Sequence, residues 1–430
     1  MAAWKASSAG WRRPLTGLQS RRIWLGTGTH STIFDEARSG RSMNLTAIID
    51  AIRDVAAPGN QRVALHEPRF AGKEWDYVKD CLDTGWVSSV GQYVDRFERD
   101  LARTCGVQHA VAVVNGTAAL HMAFLAAGVK AGDEILMPTL TFVATANAAS
   151  HAGAIPHFVD SDEISLGIAP AKLAEHLSKI AQRTDAGVVN TLTGRRIAAI
   201  APMHTFGHPV DMEPLTELAR DWGILVVEDA TESLGSLYKG KPTGSLAPIA
   251  TLSFNGNKVV TTGGGGAVLT DDPELARRVK HLTTTAKKPH QWAFLHDEIG
   301  FNYRLPNINA ALGCAQLEQL DGFLSAKRRL AEAYRQRFGS VEGCSFVQEP
   351  GYARSNFWLN AIMLDDDHVS LRDEVLRLSN EAGLMTRPCW ELMHRLPMYC
   401  DNPRMDVASA ERIAARLINI PSSAVLADGL

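Results

Sequence analysis

From Ala110 onward the chain alternates short apolar runs rich in β-branched residues with helical patterns, at intervals of some 15 to 30 residues. The runs Ala110–Val114, Glu134–Met137, Ile155–Val159, Ile197–Ala201, Ile224–Val227, Ile249–Phe254 and Ala267–Leu269 read as strands. Between them Ala118–Ala127, Phe142–His151, Glu213–Asp221 and Pro273–Leu282 carry helical periodicity. Parallel neighbours need a crossover long enough to hold a helix, so this alternation predicts an α/β fold whose mostly parallel sheet is sandwiched by helices. Binding and catalytic groups in such sheets gather at the carboxyl ends of the strands. After about Asp321 the pattern changes to a long helical stretch (Phe323–Phe338), a strand (Asn356–Leu364), a helix (Ser370–Ala382) and a Pro-rich closing section. A smaller C-terminal α+β domain is expected there. The expected division is an extension over 1–42, an N-terminal segment and large domain over 43–320, and a small domain over 321–430.

The extension has its own composition. From Met1 to Phe34 it holds no acidic residue, while Lys5, Arg12, Arg13, Arg21 and Arg22 are basic and serine is frequent. That resembles a transit peptide; the preferred reading is an upstream start codon wrongly chosen, because Met43 opens an ordinary amphipathic stretch at Asn44–Val55. Either way the segment is expected to be disordered and outside the fold. A formal net charge of −3 offers no global field for nucleic acid or an anionic membrane, so cations that hold an anionic substrate must be local. No apolar run of about 18 residues is present, and no membrane span is expected. Six scattered cysteines without a C-x-x-C pair argue against a zinc site or a disulfide framework, and a cytoplasmic location is expected with no metal.

Candidate chemistry clusters where strands end. Lys258 closes Ser253-Phe254-Asn255-Gly256-Asn257-Lys258, just before the glycine run Gly263 to Gly266, and Asp229 ends the run that begins at Ile224. A carboxylate at a buried strand end requires a cation, and a lysine beside a glycine-rich turn can be held where it loses its proton. The spacing suggests pyridoxal phosphate, with Asp229 on the ring nitrogen and Lys258 on the aldehyde; a capping or salt-bridged aspartate is the bland alternative. Asn115-Gly116-Thr117 follows a strand and opens a helix, where unpaired N–H groups and the dipole favour a phosphate. Simple helix capping by Asn115 or Thr117 accounts for the same residues. Phe142, just past the next strand, is placed either to stack on a ring or to fill the core. Glu232 could reach the same ring edge, or be a solvated surface charge.

At this point the segments are recognisable. Over Leu65 to Ser423 the chain resembles the sugar-nucleotide aminotransferases of the DegT/DnrJ/StrS type in the aspartate aminotransferase superfamily. The resemblance rests on Thr84-Gly85-Trp86-Val87-Ser88, Asn115 to Leu120, Thr141-Phe142-Val143-Ala144-Thr145, Val227-Glu228-Asp229-Ala230, Ser253 to Lys258 with Thr261 to Gly266, and Asn302-Tyr303-Arg304-Leu305-Pro306. It implies a pyridoxal-phosphate-dependent fold of type I. By position Lys258 resembles the Schiff-base lysine and proton shuttle, Asp229 the pyridinium partner and Phe142 the stacking aromatic. Gly116, Thr117 and Ser253 are similar to the phosphate binders. Asn302 corresponds to a residue that the family donates to the phosphate from a neighbouring subunit, which implies a homodimer with shared sites. Glu232 stands where relatives often carry glutamine, near the ring hydroxyl.

The wording around Leu65-His66-Glu67-Pro68, Gly85 to Gly91 and Thr386-Arg387-Pro388 looks most like the branch that aminates nucleotide-linked 4-keto-6-deoxyhexoses on the bacillosamine, legionaminic acid and perosamine routes. The implied acceptor is a UDP- or GDP-linked sugar and the implied donor L-glutamate. Ser88, Arg304, Arg387 and His290 are candidates for holding the sugar nucleotide. Some relatives replace the lysine by histidine and become dehydratases; Lys258 favours transamination. A sugar dehydratase on the same cofactor and a non-catalytic cofactor-binding regulator are the rival readings.

Overall fold

The computed structural model describes residues 44–57 and 62–430. The expected extension over 1–42 therefore lies outside the described residues. The chain's main sheet has seven strands: β1 (His109–Val113), β2 (Glu134–Pro138), β3 (Ile155–Val159), β4 (Ile197–Ile200), β5 (Leu225–Asp229), β6 (Ile249–Ser253) and β7 (Gly266–Thr270). Their order is β1-β7-β6-β5-β4-β2-β3. All pairs from β6 across to β3 are parallel, whereas β7 runs antiparallel to both β1 and β6. The exception has a covalent cause: only residues 254–265 separate β6 from β7, and that glycine-rich turn contains no helix to carry a parallel crossover.

Side chains alternate across the sheet. Val111 and Val113 of β1 face one apolar layer with Leu120, Phe124 and Val268, while Ala110 and Ala112 face another with Phe97, Leu252 and Leu269. Helix Gly116–Ala126 is apolar on nearly every side and is buried almost throughout, so it is a core element rather than a surface one. Phe254, the first residue after β6, is fully buried edge-on to Phe97, with ring centroids 5.1 Å apart. Such a contact adds about 0.5–1.5 kcal/mol to burial and anchors the start of the loop that carries Lys258.

The C-terminal part forms a second, antiparallel sheet of β8 (Cys344–Phe346), β9 (Asn360–Leu364), β10 (Arg387–Pro388) and β11 (Leu417–Ile420), in the order β8-β9-β11-β10. Helix Leu320–Phe338 packs on it through Leu330 and Tyr334. Helix Leu45–Ala56 joins this same core with Ile48 and Ile52, so by packing the N-terminal segment belongs with the C-terminal elements and not with the large sheet. The expected strand Asn356–Leu364 is shorter than its apolar run, starting only at Asn360. Ahead of it Phe357 takes φ 48°, and the Asn356 amide donates to the carbonyls of Glu232 and Leu234, which pulls the chain out of the sheet. Among the described residues no helix is long and apolar enough to cross a membrane.

Candidate functional site

β5 ends on Asp229, which is 1% exposed. The carboxylate is satisfied by three donors: Thr145 Oγ1 at 2.7 Å on Oδ2, and Thr231 Oγ1 at 2.7 Å and N at 3.2 Å on Oδ1. Thr145 comes from helix Val143–His151 and Thr231 from the turn after β5, so two elements orient one carboxylate. All three donors are neutral, so the carboxylate has no cation among its hydrogen-bond partners and its charge is available to one.

The adjacent strand β6 ends on Ser253, and the chain then crosses the strand ends toward Lys258. The loop is fixed by Phe254 N–H to Gly265 O (2.8 Å), Thr262 N–H to Phe254 O (3.0 Å) and Lys258 N–H to Asn255 O (3.0 Å). The Lys258 ammonium lies 3.2 Å from Glu232 Oε1 and 3.7 Å from the centre of the Trp358 ring. Glu232 is 3% exposed, and its other oxygen accepts the Phe206 N–H at 3.0 Å. Burial raises the Glu232 carboxyl to about 7, against the pull of Lys258 and that N–H group, and nearby Asp229 adds to the rise. Glu232 is therefore no solvated surface charge.

Asn115 caps helix Gly116–Ala126 by accepting the Ala118 N–H at 2.8 Å, so the capping role expected of it is present. The cap leaves the N–H groups of Gly116 and Thr117, at the helix start, without intrahelical partners. A Cβ added at Gly116 would meet Ser253 Cβ at 2.9 Å and Oγ at 3.1 Å, and one at Gly266 would meet Asn115 O at 2.5 Å. Backbone from β1, β6 and β7 thus converges closely around the helix start, forming a small cradle of N–H and hydroxyl donors.

These groups surround one cavity of about 300 Å³, whose lining includes Gly116, Thr117, Phe142, Glu232, Ser253 and Lys258. Asp229 is one hydrogen bond behind the wall, through Thr231, which also lines it. Phe142 is half exposed and packs edge-on to Trp390 at 6.0 Å, so it is a cavity aromatic and not a core residue. Two aromatic lining residues escaped the sequence reading, Trp358 and Trp390, as did Thr231. Trp358 sits inside an apolar run that reads as strand, and Trp390 in an irregular Pro-rich stretch, so neither carried a positional signal.

Five other expected residues lie elsewhere. Arg304 corrects the expectation that it meets the sugar diphosphate: it is buried and paired with Glu98 of helix Gln92–Cys105 at 2.9 Å. The cause is backbone, since residues 303–305 hydrogen-bond along the edge of β1 at Val114 and Ala112. Arg387 is exposed on β10 and donates to Asn380 Oδ1 at 3.0 Å, away from the cavity lining. Ser88 is exposed, its carbonyl taking the Asn307 N–H at 2.6 Å. His290 accepts the Ala293 N–H at 2.9 Å in an exposed loop. Asn302 is also exposed and bridged to Thr284, and it does not line the cavity of its own chain. The buried Asn307, unremarked in the sequence, takes the N–H groups of Tyr93 and Val94 and donates to Trp86 O, tying the Trp86–Ser88 loop to two helix starts.

Comparison with known proteins gives a consistent answer. The model of the DegT/DnrJ/EryC1/StrS aminotransferase family matches residues 68–429. A GDP-perosamine synthase of Caulobacter vibrioides is 38% identical over 370 residues, covering 85% of this chain and 95% of the relative. A GDP-perosamine synthase of Escherichia coli O157:H7 is 38% identical over 360 residues, covering 84% and 93%. Among solved structures, the aminotransferase TlmJ from Streptoalloteichus hindustanus superposes with a TM-score of 0.77 at 28% identity, over 85% of this chain and 95% of its own.

Proposed function

Because the chain belongs to the DegT/DnrJ/EryC1/StrS aminotransferase family and is a pyridoxal-phosphate-dependent aminotransferase, we propose that it moves the amino group of L-glutamate onto the C4 ketone of a GDP- or UDP-linked 4-keto-6-deoxyhexose. The observation that carries the reading is the cavity itself, where Lys258, the Thr231 link to Asp229 and the Gly116–Ser253 cradle meet. The likeness to GDP-perosamine synthases supports a nucleotide-sugar acceptor.

The residues suit the cofactor on three counts. Gly116 lets the helix start lie against Ser253, where a Cβ would meet Ser253 Cβ at 2.9 Å, so backbone N–H groups and the Ser253 hydroxyl stand together as a phosphate needs. Asp229 is a buried anion whose hydrogen-bond partners are all neutral, as a protonated ring nitrogen requires. Phe142 offers a partly exposed ring at the cavity wall. When bound, pyridoxal phosphate supplies an aldehyde and an electron-withdrawing ring that stabilises negative charge at the substrate carbon. The protein's own part is positional and acid–base. Gly116, Thr117 and Ser253 would hold the phosphate, and Asp229 would keep the ring nitrogen charged. Lys258 would carry the cofactor and, when free of it, would take and return the proton at the substrate α-carbon. Glu232, 3.2 Å from Lys258 Nζ, is the counter-ion for its ammonium.

A homodimer with shared sites fits two surface features. Trp75, Trp86 and Val90 leave an apolar patch exposed near the N-terminal helices, and Trp292, Phe294 and Ile299 leave another on the loop before Asn302. Asn302, outside its own chain's cavity, is then free to serve the partner's phosphate. Six unpaired cysteines support the reducing cytosol as its compartment. The test is to incubate the purified protein with L-glutamate and a panel of UDP- and GDP-linked 4-keto-6-deoxy sugars. Transamination converts one sugar to its amino product with one 2-oxoglutarate per turnover. Loss of water from the sugar without 2-oxoglutarate would instead establish a dehydratase, and no change in any sugar would leave a binding protein.

A further inference from the structure

Lys258 makes two close contacts with its ammonium, and only one of them is ionic. The other is the face of Trp358, 3.7 Å away, well inside the distance at which an aromatic ring attracts a cation. Trp358 is 4% exposed and is held from three sides. Its indole N–H donates to the carbonyl of Asn257, the residue before Lys258, at 2.6 Å. Its backbone N–H donates to Asn356 Oδ1 at 2.8 Å, and the Asn356 amide in turn holds the Glu232 carbonyl at 3.0 Å. Its own carbonyl accepts from the Lys327 ammonium at 3.1 Å, and Lys327 also donates to Ser422 O at 2.7 Å.

Lys327 is itself informative. It is fully buried in helix Leu320–Phe338, meets no carboxylate among the described residues, and burial lowers it to about 7. A charge kept in such a place is costly, and here it is spent on two carbonyls, one of which belongs to the residue beneath Lys258. The positive φ of Phe357 (48°) and of Phe206 (55°), the residue whose N–H holds Glu232, adds backbone strain on both sides of the same seat.

From this geometry we propose that Trp358 is a positioning residue for Lys258: its ring and the Glu232 carboxylate form a two-sided seat for the lysine ammonium, and Lys327 and Asn356 fix the ring in place. The inference deepens the aminotransferase reading. A lysine displaced from the cofactor has to stay close in both protonation states, taking the substrate proton as the neutral amine and holding it as the ammonium until it is delivered. A carboxylate alone would hold the charge without fixing the direction of the chain. The ring adds a wall that keeps Nζ on the cavity side, and its tie to Asn257 moves wall and lysine as one unit. The titratable groups around this seat include Glu232, Asp229, Lys327 and His66, and His66 stays neutral because burial, and next the charges of Lys327 and Lys258, hold it well below its usual range.

The test uses full-length protein as Trp358→Leu and Trp358→Phe, cofactor-loaded for kinetics and cofactor-free for labelling of Lys258 by an amine-reactive reagent followed by mass spectrometry. Losing the cation–π contact makes the ammonium easier to deprotonate. The midpoint of the labelling curve should therefore move to lower pH by about half a unit to one and a half units in Trp358→Leu. Trp358→Phe, which keeps a ring face, should move it less, and kcat should fall in Trp358→Leu by more than KM for the amino donor rises. Greater access alone scales the curve without moving its midpoint. A midpoint unchanged in both folded variants overturns the proposal. Covalent attachment of cofactor to Lys258 in the wild type, read by borohydride reduction, is a separate result: its failure would sink the cofactor reading while leaving the seat measurable in cofactor-free protein.

Discussion

Asp229→Asn separates the structural from the chemical role of the carboxylate at the end of β5. The amide is isosteric, and its oxygen can keep both bonds on the Thr231 side, from Oγ1 at 2.7 Å and N at 3.2 Å. On the other side the NH2 group would face Thr145 Oγ1, now 2.7 Å from Oδ2. That hydroxyl can turn to accept from the amide while donating to Thr141 Oγ1, 3.1 Å away. The network is rewired without leaving a buried donor or acceptor alone. What is lost is the difference between charge-assisted and neutral hydrogen bonds, about 1–2 kcal/mol, which lowers the melting temperature by only a few degrees. The chemical loss is larger. Removing one preorganised electrostatic group from a buried site costs about 2.7–4 kcal/mol, or roughly 10²–10³ in kcat. The assay is steady-state amino transfer beside calorimetry of the same preparation. Near-native melting with kcat down by two to three orders of magnitude is expected; a folded variant within about threefold of wild type would refute the ring-nitrogen role, since so small an effect is under 1 kcal/mol.

Other outcomes follow from the same geometry. Gly116→Ala puts a methyl group 2.9 Å from Ser253 Cβ; overpacking should cost about 1–3 kcal/mol of stability and push the Ser253 hydroxyl from the helix start, so cofactor affinity should fall in a titration of the folded variant. An unaltered affinity would show that the cradle does not hold the phosphate. Glu232 titrates at about 7, so below that pH it loses the charge that faces Lys258: kcat/KM for the donor should fall on the acid side with a midpoint near 7, and Glu232→Gln should remove that limb. A mixed dimer of Lys258→Ala and Asn302→Ala chains should recover about half of wild-type activity, because one composite site carries both lesions and the other neither. Authenticated heterodimers that recover nothing would assign Asn302 to its own chain or to no role.

Much of the fold was legible because the seven strands of the main sheet are apolar and β-branched, and because turn residues punctuate them. Lys258 and Asp229 stood out for the same reason, as polar groups where apolar runs stop. The antiparallel course of β7 follows from the shortness of the 254–265 connection, which the strand pattern alone does not weigh. Arg304 misled because a cation's value to an anionic substrate depends on what else reaches it, and Glu98 lies more than 200 residues earlier in the chain. Trp358 was hidden by its own hydrophobicity: within Asn356–Leu364 it reads as one more strand residue, and only the turn at Phe357 and the bonds of Asn356 bring its ring to Lys258. Packing of helix Leu45–Ala56 into the C-terminal core is likewise a property of tertiary contact, invisible to an amphipathic pattern that specifies a buried face and not its partner.

Borohydride reduction of the full-length protein loaded with pyridoxal phosphate, followed by digestion and peptide mass analysis, decides whether Lys258 carries the cofactor. The expected result is a single peptide containing Lys258 that gains the mass of the reduced cofactor adduct, no such gain in Lys258→Ala, and loss of the modification when excess amino donor is added before the reductant. Attachment at another lysine, or a Lys258 peptide of unchanged mass from protein that holds the cofactor, would contradict the account.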